Sequence, residues 1–485
     1  MKKKLLILSI IPFLFACAKN NTLNYDDSIY HVSNDSYLYN EDEFLEEISN
    51  TDYNYDITFE LSEDGSYYIV SDKNFTLNTS VLNIPPLYNR KEVREIKSEG
   101  FVEKKWLETI ILPKTIQKIG DGAFSLCGLK KIIYDCESVC DFNARNWVFY
   151  PDASLNNEIE VIFGNNVKTI PNRLFYPLST SPFLLPNIKS IKFVENSNLT
   201  SIGDYAFYKV NIDNISLPST LSRIGDYAFY QVDINELRLP SSLSYVGNFS
   251  FCSSNISNIR FNDELTYIGD YAFYNNKELN SIDLSHTKVN YIGEFAFNKC
   301  SNVSLLKLCS NDIEIHSNAF SYLTNLMTLD LSNASLTLYK EAFANNIKIK
   351  NLKIGKLILK ESDCFINLKG LENLSIVDNF VFEYENTYSI FSFSGNENGL
   401  NIFINNVNDI SNYLFYFNND NDNQININNL YLFDTLTNIS NDAFLNTHID
   451  VIHYVGNKSS FKKLNFNNYE KINYYSSIEI NNVED

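Results

Sequence analysis

The chain has 485 residues, of which 44% are hydrophobic and 14% aromatic, so it has enough apolar surface to build a folded core. Its formal net charge of -20 at pH 7 disfavours nucleic-acid phosphates and anionic lipid headgroups as partners, since both would meet an acidic surface. The length suits either about two or three globular domains or one long repeat array.

The N-terminus has the pattern of a bacterial export signal. Three lysines precede an apolar run from Leu5 to Ala16, which is shorter than the roughly 20 residues of a membrane-spanning helix. The sequence LFAC at residues 14–17 resembles the lipobox of bacterial lipoproteins, in which the cysteine carries the lipid and begins the mature protein. We therefore predict a signal peptide at residues 1–16 and a lipid anchor at Cys17, with a transmembrane anchor as the less favoured alternative. Loss of the three lysines would change the formal charge to -23.

Two segments separate this signal from the rest of the chain. Residues 17–56 are acidic and rich in tyrosine, with one helix-like stretch, EDEFLEEI. We interpret them as a tether that holds the following domain away from the membrane. In residues 57–90, ITFEL and YYIV flank a Ser-Glu-Asp-Gly-Ser turn, which predicts a β-hairpin that caps the first repeat.

The middle of the chain repeats one phrase at nearly constant spacing. IGDYAFY occurs three times, and the phenylalanines that close successive regular copies are 22 to 24 residues apart. The regular copies close at Phe207, Phe229, Phe251, Phe273, Phe297, Phe320, Phe343 and Phe365, and looser copies close at Phe101, Phe124, Phe149, Phe175, Phe415 and Phe444. We predict a repeat array over residues 91–455.

Each repeat is predicted to contain one short strand, one turn and one short helical piece. The pattern I-x-x-I-x-L, as in INELRL, ends in the alternation that is typical of a strand with one buried face. Gly225 is expected to adopt the left-handed backbone of a sharp turn, and Asp226 to cap the helical piece. Ala228 and Phe229 then fill the core. Because no repeat can bury its own apolar face, neighbouring repeats must stack.

These repeats resemble the BspA-like branch of the leucine-rich repeat superfamily, whose units carry an I-G-x-x-A-F phrase and an L-P strand end. The resemblance covers roughly residues 57–470 and implies an α/β leucine-rich repeat solenoid with an adhesive function. Residues 456–485 contain the family's closing phrase and are expected to form a C-terminal cap and tail. The positions that hold Asn or Cys in the usual repeat, and form an internal ladder there, hold Thr220, Ser242, Glu264 and Thr287 here. We therefore expect that ladder to be missing.

The sequence contains no recognisable catalytic or metal-binding motif. H-E-x-x-H, C-x-x-C, G-x-S-x-G and the phosphate-binding glycine loops do not occur. Asp204, Asp226 and Asp270 recur, but the other repeats vary too much at this position to supply a fixed ligand set. The seven cysteines after Cys17 do not form a disulfide framework, and Cys127 and Cys300 are expected in the core. We predict no cofactor, no metal and no small-molecule substrate.

Two rows of equivalent residues are candidates for binding a partner. The first row consists of Tyr205, Tyr208, Tyr227, Tyr230, Tyr271 and Tyr274. The second row is expected on the concave strand face and consists of Arg238, Arg260, Asp283, Lys307, Asp330 and Lys353, with alternating signs from Arg260 onward. The alternatives are that the tyrosines pack between repeats and that the charges neutralise one another.

The sequence thus favours a lipid-anchored binding protein of the bacterial cell envelope, exposed outside the cytoplasm. Its expected partner is a host or neighbouring-cell surface protein or a matrix component. The adhesive role is implied by the family resemblance, because composition and period indicate only a large repetitive surface. A structural envelope protein is the alternative, and an exported hydrolase is less favoured.

Overall fold

The computed structural model describes residues 5–6, 38–72, 77–143, 147–152, 154–155, 158–176, 186–212, 215–383, 390–391, 394–395, 398–411, 413–415, 425–445, 447–466, 469–475 and 478–479. The signal peptide apart from Leu5 and Leu6, the lipobox and Cys17 lie outside these residues. The chain divides into two compact units. The N-terminal unit is Val32–Asn276, and the C-terminal unit contains Lys277–Asp485 together with Met1–His31.

Short strands dominate both units. The first strand, β1 (Leu5–Leu6), belongs to the C-terminal unit. The N-terminal unit contains β2 (Thr58–Leu61), β3 (Tyr68–Ser71), β4 (Val81–Asn83), β5 (Leu87–Tyr88), β6 (Lys91–Ile96), β7 (Thr109–Leu112), β8 (Lys118–Ile119), β9 (Lys131–Tyr134), β10 (Ile159–Phe163), β11 (Thr169–Ile170), β12 (Ile188–Phe193), β13 (Ser201–Ile202), β14 (Arg223–Ile224), β15 (Glu236–Arg238), β16 (Tyr245–Val246), β17 (Asn258–Arg260) and β18 (Tyr267–Ile268).

The C-terminal unit continues the same kind of element. Its strands are β19 (Ser281–Asp283), β20 (Tyr291–Ile292), β21 (Leu305–Lys307), β22 (Asp312–Ile315), β23 (Thr328–Leu331), β24 (Ser335–Leu338), β25 (Asn351–Ile354), β26 (Leu357–Leu359), β27 (Asn373–Ile376), β28 (Phe380–Phe382), β29 (Leu400–Ile404), β30 (Asp409–Ile410), β31 (Ile425–Phe433), β32 (Asn438–Ile439), β33 (Thr447–Val455), β34 (Lys471–Tyr475) and β35 (Ile478–Glu479). The α-helices of the described residues are α1 (Glu41–Ser49) and α2 (Lys458–Lys463).

Within each unit, the strands of one turn pair in parallel with the equivalent strands of the next turn. In the N-terminal unit the first strands of the turns form a sheet in the order β12-β10-β9-β7-β4, and the second strands pair as β11-β13-β14-β16-β18. In the C-terminal unit the first strands pair as β23-β25-β27-β29-β31-β33-β34, and the second strands as β20-β22-β24-β26-β28. The predicted solenoid of stacked parallel strands is confirmed.

The third segment of each turn is not a helix. Tyr205 and Lys209 both have a left-handed backbone, with φ of 57° each. Alternate N–H groups of the segment bond to the next turn, where the N–H of Tyr205 donates to the carbonyl of Asp226 at 2.8 Å and that of Phe207 to the carbonyl of Ala228 at 2.9 Å. The N–H of Tyr208 makes only an isolated turn bond, to the carbonyl of Tyr205 at 3.3 Å. A helix needs consecutive right-handed residues and bonds inside the segment. The predicted helical piece is therefore wrong.

The aspartates of the repeated phrase link neighbouring turns. Oδ1 of Asp204 accepts a hydrogen bond from the N–H of Asp226 at 2.8 Å, and Oδ1 of Asp226 accepts one from the N–H of Asn248 at 2.8 Å. The same series begins at Asp141, continues through Asn172 and reaches Asp270. Asp226 thus caps a backbone N–H of the next turn, and the prediction that it caps a helix in its own turn is wrong.

Gly225 is required for space and not for a left-handed turn. The left-handed residue of this turn is Tyr227, with φ of 56°. A β-carbon on Gly225 would lie 2.4 Å from Oδ1 and 2.8 Å from the backbone nitrogen of Asp204. A β-carbon on Gly247 would likewise lie too close to Oδ1 and the backbone nitrogen of Asp226. The glycine therefore lets the backbone approach the aspartate ladder of the preceding turn.

A second ladder occupies the position where the usual asparagine is replaced. The hydroxyl of Thr220 donates to the carbonyl of Leu199 at 2.8 Å, and the hydroxyl of Ser242 donates to the carbonyl of Leu221 at 3.0 Å. The expectation that this ladder is missing is wrong at these two positions, because a short hydroxyl side chain reaches the same carbonyl.

The core of each unit is built on a column of phenylalanine rings. In the N-terminal unit the column runs from Phe101 to Phe273, with successive ring centroids 5.2 to 6.0 Å apart. In the C-terminal unit it runs from Phe297 to Phe444, with spacings of 4.8 to 6.3 Å. It includes Phe391, which the sequence pattern missed.

The cysteines of the described residues are all free thiols. Six are buried, including Cys127 and Cys300, and Cys140 is exposed. This arrangement confirms the predicted core positions of Cys127 and Cys300.

The segment before the first strand is folded and is not a tether. Asn40 caps α1 by accepting a hydrogen bond from the N–H of Glu43. Phe44 is fully buried against a cluster on the outward face of β7, β9, β10 and the end of β12, which consists of Ile111, Ile133, Ile162 and Val194. The interpretation of residues 17–56 as a tether is therefore wrong for residues 38–56, and residues 17–37 lie outside the described part of the chain.

The predicted hairpin of residues 57–90 is present. Strands β2 and β3 pair antiparallel, with Thr58 opposite Ser71 and Leu61 opposite Tyr68. Strand β3 then pairs in parallel with β6, which pairs with β8. The hairpin thereby contributes two further strands beside the first turn.

Candidate binding surfaces

The tyrosine row forms a continuous aromatic surface in the N-terminal unit. We call it the tyrosine strip, and it consists of Tyr205, Tyr208, Tyr227, Tyr230, Phe249, Tyr271 and Tyr274. Its first column stacks with centroid distances of 4.6 Å from Tyr205 to Tyr227, 4.6 Å from Tyr227 to Phe249 and 4.5 Å from Phe249 to Tyr271. All of these rings are half-buried. The ring faces pack between turns, and part of each ring is exposed to solvent. The same residues can therefore stabilise the stack and contact a partner.

A second column lies beside the first. Tyr208 and Tyr230 stack with centroids 5.0 Å apart, and each also contacts the first-column ring of its own turn at 5.6 to 5.7 Å. The next position of this column holds the buried Cys252. Burial, together with the neighbouring Tyr230, raises the pKa of Tyr208 to about 12. The hydroxyl of Tyr208 therefore stays protonated, and able to donate, at physiological pH.

Two cations border the strip. The guanidinium of Arg173 lies 5.1 Å from the ring centroid of Tyr205, and Nζ of Lys209 lies 5.4 Å from that of Tyr208. Such cation–π contacts are favourable at partly exposed sites. They give this surface positive groups on an otherwise acidic protein.

The charge row is neutralised within pairs in the C-terminal unit. Asp283 and Lys307 are register partners with an Oδ2–Nζ distance of 3.4 Å, and Asp330 and Lys353 are register partners at 3.8 Å. In the N-terminal unit, Arg238 lies directly beside Arg260. The geometry favours a ladder in which the C-terminal charges satisfy one another.

Asp283 is held by more than its ion pair. Its Oδ1 accepts hydrogen bonds from the N–H and the hydroxyl of Ser285 at 3.1 and 2.6 Å. Burial alone would raise the pKa of Asp283, but these hydrogen bonds and Lys307 lower it below its ordinary value. A lowered carboxyl pKa stabilises the fold above the pKa of the unfolded chain, and this contribution is lost as the pH falls through the pKa of the folded state.

We predict that Asp283→Lys destabilises the C-terminal unit by about 1 kcal/mol at low salt, because it places two lysines side by side. The loss should shrink in high salt, which screens the repulsion. Urea unfolding at two salt concentrations measures both effects. Asp283→Asn is the matched control, since it keeps the acceptor for Ser285 and removes only the charge. A loss for Asp283→Lys that does not depend on salt would contradict the side-by-side arrangement.

An amide ladder on the same strand face as the charge row was not predicted from the sequence. Asn373 donates to Asn351 at 2.8 Å, Asn401 to Asn373 at 3.1 Å and Asn429 to Asn401 at 2.8 Å, each between side-chain amides. Nε2 of His453 lies 2.9 Å from Oδ1 of Asn429 at the end of the series. In the sequence, this ladder corresponds to an asparagine two residues before the outward charge position in successive strands. The pattern is hard to recognise because the turns after Phe382 are longer and break the regular spacing.

An aromatic row also follows the charge row in the C-terminal unit. Phe403 stacks on Tyr431 with a centroid distance of 4.1 Å, and Tyr431 stacks on His453 at 4.5 Å. Burial, assisted by Lys471, lowers the pKa of His453. The outward position therefore changes from charged to aromatic along this unit.

The described residues also include one small cleft in the C-terminal unit. It has a volume of about 100 Å³ and is lined by Ile376, Phe380, Phe382, Ile404 and Ser411, among others. Pockets for drug-sized ligands measure roughly 300–1,000 Å³. Within the part of the chain that the structure describes, no helix has the length and apolar composition needed to cross a bilayer.

Comparison with solved structures finds bacterial proteins of low sequence identity to this chain. A leucine rich cell surface protein from Faecalibacterium prausnitzii is 14% identical over 86% of this chain and 98% of its own, with a TM-score of 0.35. A leucine-rich repeat protein from Bacteroides ovatus is 14% identical over 86% of this chain and 98% of its own, with a TM-score of 0.37. The pneumococcal vaccine antigen PcpA is 15% identical over 88% of this chain and 98% of its own, with a TM-score of 0.32.

A comparison with curated proteins finds no match. The family model for the BspA type leucine rich repeat region matches residues 76–199, 200–326 and 267–392, in six copies. These matches span more than half of the chain and coincide with the turns of stacked parallel strands. The chain therefore belongs to the BspA-type leucine-rich repeat family.

Proposed function

We propose that the protein is an exported binding module that attaches to a protein of a host or neighbouring cell, or to a matrix component, through the tyrosine strip. The observation that carries this proposal is the stacking of half-exposed rings from Tyr205 to Tyr271 at a spacing of 4.5 to 4.6 Å. Tyrosine is favoured in protein interfaces, because it offers a large contact area, loses little entropy and carries a hydroxyl group.

The strip is also rigid before a partner arrives. Each ring of the first column stacks on a ring of a neighbouring turn, so ordering these side chains costs little on binding. Arg173 and Lys209 add positive groups at its border, which suits a protein surface that offers carbonyl oxygens or carboxylates. The charge row is less suited to this role, because Asp283 and Asp330 already pair with lysines.

We predict that replacing Tyr205, Tyr227 and Tyr271 together by asparagine weakens attachment tenfold or more, equivalent to about 1.4 kcal/mol of contact energy. Asparagine is chosen because these three positions have a left-handed backbone, which asparagine tolerates better than most residues. Asn318 of this chain already adopts that backbone, with φ of 59°. The purified full chain would be tested on a panel of immobilised matrix proteins and on host cells, with the melting temperature measured in parallel.

The matched control replaces Tyr245 and Tyr267 by serine. These two rings also stack between turns, with centroids 4.6 Å apart, but lie on the second strands β16 and β18. The control should lose the stacking energy of its one pair, about 0.5–1.5 kcal/mol, and keep its attachment. Equal attachment by both variants and the wild type would show that the tyrosine strip only packs the turns together.

We also propose that the mature protein is held at the cell envelope by a lipid on Cys17. The support is the LFAC sequence after a short apolar run. A single acyl chain binds membranes only marginally, so stable anchoring requires the multiple chains of a bacterial lipoprotein.

Metabolic labelling with a fatty-acid analogue is expected to mark the wild type and to disappear in Cys17→Ser. The mutant should then be released from the membrane fraction. A mutant that keeps both the label and its membrane location would contradict lipidation at Cys17 without affecting the proposal for the tyrosine strip.

A further inference from the structure

Three side chains with metal-binding atoms converge at the end of the C-terminal unit. They are His448 and Asp450 on β33 and Glu470 just before β34. Nε2 of His448 lies 3.2 Å from Oδ1 of Asp450 and 3.2 Å from Oε1 of Glu470, and all three ligand atoms lie within 4.8 Å of one another. Among the described residues, these three are the histidine, cysteine and carboxylate side chains that lie close enough together to share a metal ion.

The strands hold these side chains in place. His448 and Asp450 are two residues apart on one strand, so they lie on the same face. The register pairs Val451 with Lys471, which places Glu470 beside Asp450. The N–H of Glu470 donates to the carbonyl of Ile449 at 3.0 Å and fixes the backbone at this point. The three groups therefore come together because the backbone is paired and not because the side chains attract one another.

A neighbouring amide orients one of the carboxylates. Asn426 on β31 is the register partner of His448, and its Nδ2 donates to Oδ2 of Asp450 at 3.2 Å. Oδ1 is then the oxygen that faces His448. Outer hydrogen bonds of this kind fix the orientation of ligating side chains in metal sites.

The charges at this point favour a dication. Asp450 and Glu470 together carry two negative charges, and in the described part of the chain their ion-pair partner is His448, with no lysine or arginine pairing to either. A protonated His448 would offset one of these charges. A divalent cation would offset both and would use the imidazole nitrogen as a ligand.

We propose that His448, Asp450 and Glu470 bind a divalent transition metal, with zinc as the best-suited ion. Zinc takes histidine nitrogen and carboxylate oxygen at about 2.0–2.2 Å, so neighbouring ligand atoms of a tetrahedron are about 3.4 Å apart. The two distances of 3.2 Å match this value. Calcium instead takes six to eight oxygens and is not suited by an imidazole. Three protein ligands leave a fourth position for water.

This site was not predicted from the sequence because its ligands do not form a short motif. Glu470 reaches the others only through the pairing of β33 with β34, in the closing segment where the repeat period has ended. Zinc at this position would join the last two strands of the seven-stranded sheet. This role is independent of the tyrosine strip, which lies in the other unit.

The test is titration of the untagged, chelator-treated full chain with zinc chloride in a calorimeter. We expect one zinc ion per chain with micromolar or tighter affinity. His448→Ala should weaken binding by more than about 100-fold, and Asp450→Asn and Glu470→Gln by about tenfold or more each. His286→Ala, at an exposed histidine of the same unit, is the matched control and should bind zinc as the wild type does.

The melting temperature of the wild type should also rise with zinc, and this rise should be lost in Glu470→Gln. Glu470 is the most exposed of the three side chains, so its substitution is expected to leave the metal-free fold intact even if His448→Ala does not. Absence of zinc binding by the wild type, unchanged affinity in Glu470→Gln, or equal competition by calcium would each overturn the proposal.

Discussion

Deletion of residues 208–229 is expected to leave the N-terminal unit folded with a melting temperature within about 5 °C of the wild type. The junction then reads IGDYAFYQV, which is the natural sequence of residues 224–232. Phe207 would stack on Phe251, and Asp204 would accept from the N–H of Asn248, as Phe229 and Asp226 do now. Every interaction across the junction therefore has a natural counterpart.

Deletion of residues 208–218 is the matched control and is expected to abolish cooperative unfolding. It removes the first-strand half of one turn, including the buried Val210, Ile212, Ile215 and Leu217, and leaves the second half without its core. Neighbouring turns would expose apolar faces, so this variant should aggregate. Both proteins would be compared by thermal unfolding and size-exclusion chromatography. Similar behaviour of the two deletions would contradict a stack of equivalent turns.

Gly225→Ala is expected to destabilise the N-terminal unit by about 2–3 kcal/mol, which is large for the addition of one methyl group. The new β-carbon would lie 2.4 Å from Oδ1 and 2.8 Å from the backbone nitrogen of Asp204. Asp204 cannot move away freely, because its Oδ1 accepts from the N–H of Asp226. The two turns must separate to relieve the contact.

A double-mutant cycle with Asp204→Ala tests this explanation. Asp204→Ala alone should cost about 1 kcal/mol through the lost hydrogen bond. In the Asp204→Ala background, Gly225→Ala should cost less than it does alone, because the oxygen at 2.4 Å is gone and only the backbone contact remains. The measurement is the urea midpoint of the four proteins. Additive losses would mean that the cost of Gly225→Ala arises from the backbone and not from the aspartate ladder.

The first strands and the phenylalanine columns were predictable because their signals are local and periodic. The second strands, such as β14, were not predicted, because one strand per repeat was expected. The spacing of Phe207, Phe229 and Phe251 places equivalent residues in register, and the rings stack accordingly. The same register predicted that Tyr205 and Tyr227 would be neighbours. Phe391 was missed because its turn is longer and lacks the repeated phrase.

The form of the third segment could not be predicted in this way. An aspartate followed by Ala and Phe has the appearance of a helix start, but the segment contains left-handed residues at Tyr205 and Lys209. Tyrosine and lysine seldom adopt that backbone, so their identity gives no indication of it. The hydrogen bonds that stabilise this unusual backbone run to the next turn, so the sequence of a single repeat does not indicate them.

The docking of α1 was also missed, although a signal existed. The first strands TIIL and KIIY are apolar at consecutive positions, which is typical of strands that are buried on both faces. This pattern indicates that another element packs over Ile111 and Ile133 on the second face of the sheet. The sequence did not indicate that Phe44 makes this contact, because Phe44 lies far from these strands along the chain.

This separation has a consequence for the order of folding. Contacts between turns join residues about one repeat apart, so each turn can form as soon as the next one is available. Phe44, in contrast, packs against Val194, 150 positions later in the chain. Because the entropy cost of closing a loop grows with its length, we expect α1 to dock only after β7, β9, β10 and β12 have assembled. A segment that is among the first to leave the ribosome is therefore among the last to reach its native contacts.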